Sequence, residues 1–153
     1  MRRRVLTLAI AVVLICSLFT SFAFAATLRA SDYISSYNAV IYSSGTKINV
    51  DCSITGTGRM KTIGIKSVKI YTSSGTNVAT YSYTTDGYEY LMGSDTGRKT
   101  ASVTYTGTSG KSYYAVVVFY ASDGSGSDSR THTTKTITLS SKPSGRNILM
   151  WSG

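Results

Sequence analysis

Few side chains in this 153-residue chain could do chemistry, and they are scattered. There is one histidine, His132, and there are two cysteines, Cys16 and Cys52. A hydrolase needs a base beside a nucleophile in a pocket. His132 stands on the polar side of a threonine-rich alternation and reads as an exposed strand residue. Cys52 alternates with Ile48, Val50 and Ile54 and reads as a small core hydrophobe. With a single His and no CxxC, no zinc site is expected. No Gly-rich phosphate loop sits between a strand and a helix. Glycoside hydrolysis needs two facing carboxylates, and nothing in the spacing of the seven acids singles out a pair. The run Asp123-Gly124-Ser125-Gly126-Ser127-Asp128 superficially matches a calcium loop. It lacks the glycine at the sixth position and the acid at the twelfth, where Thr134 stands, so it reads as a flexible hairpin loop. The expectation is a protein that is not an enzyme, with no catalytic residue, no cofactor and no metal.

The start of the chain sets the compartment. Arg2, Arg3 and Arg4 precede an apolar run over residues 5–19, and Ala23-Phe24-Ala25 suits a signal peptidase. Residues 1–25 are therefore expected to be a cleaved signal peptide, and the protein to be secreted into an extracellular setting, with no stable membrane insertion after cleavage. Ile15 before Cys16 argues against lipidation. Losing three basic residues takes the net charge from +9 to +6. It also removes Cys16, so Cys52 has no partner for a disulfide. Residues 140–153, with Pro143 and Gly145, read as a flexible C-terminal tail.

Between these lies a chain without helical periodicity, rich in Thr, Ser and 12 tyrosines. Period-two alternation broken by Gly/Ser clusters places strands at 37–43, 47–55, 66–72, 77–83, 99–106, 112–121 and 130–139. In 47–55, Ile48, Val50, Cys52 and Ile54 face inward while Lys47, Asn49, Asp51 and Ser53 face solvent. Residues 113–120 are apolar on both faces, as in a central strand. Seven strands with short turns predict an all-β, antiparallel β-sandwich over residues 26–139.

Gly110-Lys111-Ser112-Tyr113-Tyr114-Ala115-Val116-Val117 resembles the start of strand F in fibronectin type III and related immunoglobulin-like sandwiches. That resemblance implies that Tyr113 forms a corner with the preceding loop and that Ala115, Val117 and Phe119 point inward. The strand-C tryptophan and the inter-sheet disulfide of that superfamily are missing. From about Tyr33 to Leu139 the chain also resembles a family of short secreted proteins of unknown function from Gram-positive bacteria. The likeness is carried by Gly56-Thr57-Gly58, Ile63-Gly64, Ser67-Val68-Lys69-Ile70-Tyr71, Tyr113-Tyr114-Ala115 and Asp128-Ser129-Arg130. It implies a secreted sandwich and no activity.

In a seven-strand sandwich alternate connections lie at opposite ends. One end collects loops 56–61, 84–97 and 122–129, with five of the seven acids. The 84–97 segment is long for a compact domain, and Tyr with Ser and Gly suits an adaptable binding surface. Arg59, Tyr88, Tyr90, Asp123 and Asp128 are the candidate ligand-binding residues. Alternatively Tyr88, Tyr90, Leu91 and Met92 fold back and plug the end of the sandwich. The expected function is a secreted, non-catalytic module binding a glycan, a peptide or a cell-wall or surface polymer. The alternative is a cationic antibacterial or wall-associated protein acting through charge. Basic residues spread over several strands give no stacked basic patch, so nucleic acid is not an expected partner. A monomer is expected.

Overall fold

A computed structural model describes residues 31–140. The expected signal peptide and most of the expected tail lie outside the described residues. Alternation is the dominant local signal, and it forms β1 (Ile34–Ser44), β2 (Lys47–Thr72), β3 (Asn77–Ser82), β4 (Met92–Thr106), β5 (Ser112–Ser122), β6 (Ser127–Thr133) and β7 (Ile137–Thr138). The only helical element among them is one 3-10 turn, Glu89–Leu91. All seven strands belong to one antiparallel sheet, curled into a half-barrel.

The curl is set by β2. Strands expected at 47–55 and 66–72 are one 26-residue strand, and the expected 56–61 loop lies within it. Its first part pairs with β1 on one side and with β4 on the other, Val50 standing between Ile41 and Val103. Its second part pairs with β3 and with β5. Between these parts the ladder with β4 jumps from Thr55↔Arg98 to Met60↔Thr96. Extra residues on one strand bend the pair. Here Gly56 leaves room for buried Met60, whose Cγ would lie 2.7 Å from an added Cβ. Opposite, Asp95 takes φ 52°, a left-handed conformation that Asp tolerates better than most residues.

The bend folds inward-facing side chains of both parts into one core. Ile48, Val50 and Ile54 join Val68, Ile70, Val117 and Phe119, all fully or nearly fully buried. Tyr37 of β1 lies with its ring 5.3 Å from that of Phe119. No buried side-chain N or O among the described residues lacks a hydrogen-bond partner.

The other end of the chain closes differently from expectation. The strand expected at 130–139 is interrupted because Thr134, 7% exposed, inserts its own side chain into the ladder. Its hydroxyl accepts from the Ala115 N–H at 2.9 Å, and its N–H donates to the Ala115 carbonyl at 2.9 Å. The chain then reaches β7 and buried Leu139, which exchanges backbone bonds with the 110–111 turn. Tyr113 is 2% exposed, and its hydroxyl accepts the Thr108 N–H at 2.9 Å. This is a tyrosine corner closing the turn before β5.

Candidate functional site

The segment from 84 to 97 is not one long loop. It is a short turn, the 3-10 turn and the start of β4. Leu91 is 1% exposed and anchors it in the core. Gly64 of β2 permits the approach, since a Cβ there would collide with the Leu91 carbonyl oxygen and lie 2.8 Å from Met92 Cα. Tyr88 is half-buried against the core, 5.1 Å from the Tyr81 ring and 6.0 Å from that of Tyr90. Tyr90 is 46% exposed, and its hydroxyl donates to the Ser102 carbonyl at 3.0 Å. Burial and neighbouring tyrosines raise the pKa of Tyr81 and Tyr90.

The acidic candidates stand apart from this tyrosine group. Asp123 accepts from the Ser125 N–H and hydroxyl, each at 2.8 Å, and from the Gly126 N–H at 3.0 Å. These bonds order the loop and hold its carboxyl below the usual carboxylate value. Asp128 pairs with Arg130 at 2.8 Å. A hydrogen bond from Ser31 is the main cause of its lowered pKa, with lesser help from Ser129 and Arg130. Arg59 is exposed on β2. Among the described residues, no hydrogen bond, ion pair or ring contact joins Arg59 or these acids to Tyr88 and Tyr90. His132 also departs from expectation. Pairing with Val117 puts it on the inner side of β6, half-buried, with its ring 6.3 Å from that of Tyr37 in an edge-on contact.

A different surface gathers polar side chains. On the outer face of β1, β2 and β4, the register aligns Asn38–Ser53–Thr100, Val40–Asp51–Ser102 and Tyr42–Asn49–Thr104 in three rungs. Across the first two runs a shallow groove of about 430 Å³. Asp51 is its centre. The Ser102 hydroxyl donates to Asp51 at 2.5 Å, and Thr104 donates to Asn49 at 2.9 Å. The Tyr42 hydroxyl also hydrogen-bonds to Asp51, and this bond is the main cause of its raised pKa. Tyr42 stands 45% exposed in the next rung, and Tyr90 reaches the β4 side through the Ser102 carbonyl.

The groove can donate and accept hydrogen bonds. It has one carboxylate and no nearby imidazole or thiol that could act as a base or nucleophile. Cys52 contributes to the lining but is 4% exposed, with its thiol pushed up to about 12 chiefly by burial. A second cavity of about 310 Å³ lies between Thr62, Lys66, Tyr83, Met92 and Tyr120. There a register shift beside Lys66 accompanies an ammonium 5.7 Å from the centre of the Tyr120 ring. Among the described residues no group of three His, Cys, Asp or Glu side chains could hold a metal ion, and no helix is long and apolar enough to cross a membrane.

Sequence reasoning passed over the groove although half of its signal was visible. Alternation in 47–55 puts Asn49, Asp51 and Ser53 on the solvated face. Only the pairing of β2 with both β1 and β4 adds Asn38, Thr100 and Ser102 beside them. The fold and this face define an all-β antiparallel domain with a polar sheet surface. No protein-family model matches the chain, and comparison with curated proteins also gave no match.

Proposed function

We propose that this chain is a secreted, non-catalytic interaction module that binds a hydroxyl-rich glycan or surface polymer along the outer face of β1, β2 and β4. It is read as an immunoglobulin-like, fibronectin-III-like sandwich related to the short secreted proteins of Gram-positive bacteria. The tyrosine corner at Tyr113 supports that reading, while the seven strands form one curled sheet where such a sandwich has two. The observation that carries the function is the Asp51 groove. Asp51, Ser102, Asn38, Ser53 and Thr100 supply acceptors and donors in adjacent rungs, and the exposed Tyr42 and Tyr90 bond through their hydroxyls to Asp51 and to the Ser102 carbonyl. The loop candidates fit less well, because Asp123 and Asp128 bond within their own loop and strand and, among the described residues, make no hydrogen bond or ion pair with Tyr88 or Tyr90, whereas strand register sets the groove residues side by side. Tyr90 alone belongs to both readings.

The charge-driven alternative has weaker support. The described domain carries all seven acids but only ten of the 16 basic residues, so much of the excess charge lies outside it. Binding of the processed protein to a glycan array and to purified cell walls tests the reading. Retention that survives about 0.5 M salt and falls at least about tenfold in Asp51→Ala supports it. Loss of all retention in salt, or full retention by Asp51→Ala, overturns it.

A further inference from the structure

We propose that the free edge of β1 pairs antiparallel with β1 of a second copy of this chain, giving a two-fold dimer. β1 ends the hydrogen-bonded path of the sheet, so among the described residues one side of its 11-residue backbone has no ladder partner. Unpaired edges invite a further strand, and proteins guard them with short length, charge, bulges or covering side chains.

The other edges here carry such guards. Tyr81 and Tyr90 donate their hydroxyls to the Thr104 and Ser102 carbonyls of β4, at 2.9 and 3.0 Å. β6 has seven residues and turns the Asp128–Arg130 ion pair toward the inner face. β3 has six residues and a register shift at its start. β1 also has a register shift at its start, between Ile34 and Ser36, but beyond it runs on through Ser44, and the strand contains no Pro, Lys, Arg, Asp or Glu. Three of the four exposed large hydrophobics belong to it: Tyr37 at 38%, Val40 at 46% and Tyr42 at 45%.

Charge selects a second copy as the occupant. With ten basic residues against seven acidic ones in residues 31–140, two copies of the domain carry a like net charge and repel over most approaches. Residues 31–46 contain no Lys or Arg and only Asp32, so β1 is where two copies meet at least electrostatic cost. A charged foreign peptide would find nothing on β1 to select it. Pairing of one strand with itself across a two-fold axis closes at two copies and does not propagate. In a register that keeps the faces, Val40 and Tyr42 gain cross-strand neighbours. The two outer faces then join into one six-stranded surface. This inference does not rest on the glycan reading.

Sedimentation equilibrium and amide exchange on the protein, in the form its expressing host delivers, provide the test. The expected result is a two-chain mass at about 10 μM, with alternate β1 amides exchanging slowly. Val40→Lys puts an ammonium at the seam without emptying the core and should weaken the dimer at least about a hundredfold. Its circular dichroism should stay unchanged and its β1 amides should exchange fast. If that variant does not fold, Asn38→Lys on the same outer side of β1 takes its place. A single-chain mass up to about 1 mM overturns the proposal, as does a dimer that both substitutions leave intact. Slow β1 exchange at a single-chain mass overturns it too, because the edge is then covered from within the chain.

Discussion

Tyr90 and Ser102 are joined through a hydroxyl that reaches the edge of β4 and donates to its backbone carbonyl at 3.0 Å. Tyr81 makes the equivalent bond to Thr104 two residues along, at 2.9 Å. The 84–97 segment thereby does in part what the plug reading expects, with Leu91 buried and Tyr88 packed, while Tyr90 lies along an edge.

Replacing Tyr90 or Tyr81 by Phe keeps the ring and removes one bond near solvent. Each change should cost about 0.5–1 kcal/mol. Tyr88→Ala removes a half-buried ring and should cost more, about 2–3 kcal/mol. A thermal melt resolves the two classes, since 1 kcal/mol is worth about 4 °C in a domain of this size.

Burial raises the Cys52 thiol from its ordinary 9.0 to about 12. The neutral form is favoured in the fold, so this contribution to stability is complete below pH 9 and is lost as pH rises from 9 toward 12. A thiol reagent at pH 8 should label the native protein no faster than the protein unfolds. Cys52→Ala should cost about 1 kcal/mol as a small cavity. Cys52→Asp should abolish folding through an unpaired buried charge. Rapid native labelling would contradict this placement.

Tyr113→Phe leaves the ring packed but strands the Thr108 N–H, which is partly buried. The expected loss is about 1–2 kcal/mol, because an unmet donor costs more than a net hydrogen bond returns. Chemical denaturation should show a lower midpoint with an unchanged slope.

Asp123 and Asp128 both titrate below their ordinary 3.8. Their stabilisation is present above that value and is lost as pH falls through the lowered native values. Carboxyl NMR should find both low, with faster amide exchange at Ser125 and Gly126 once Asp123 is protonated. Asp123→Asn should remove the pH dependence of exchange at those two amides. Ordinary titration of Asp123 would mean that its three hydrogen bonds do not form in solution.

Local chemistry alone determined much of this protein. Alternation in Ile48, Val50, Cys52 and Ile54 fixed which side chains enter the core, because period two is a property of the strand itself. The hairpin turns at 44–46 and 73–76 were equally legible, since Gly45 and Gly75 take positive φ there. The double-sided apolar character of 113–120 marked β5 as an interior strand. Tertiary structure decided what depends on neighbours from distant sequence. Gly56 and Gly58 look like a loop until Met60 packs over Gly56 and β4 continues alongside, carrying one strand through both parts of the sheet. His132 looks solvent-facing until pairing with Val117 turns it inward. Asp51 becomes the centre of a groove only because Val40 and Ser102, 11 and 51 residues away in sequence, register on either side of it. Alternation gives each strand its two faces, but lateral order comes from pairing across long chain separations, and a single strand carries no record of its neighbours.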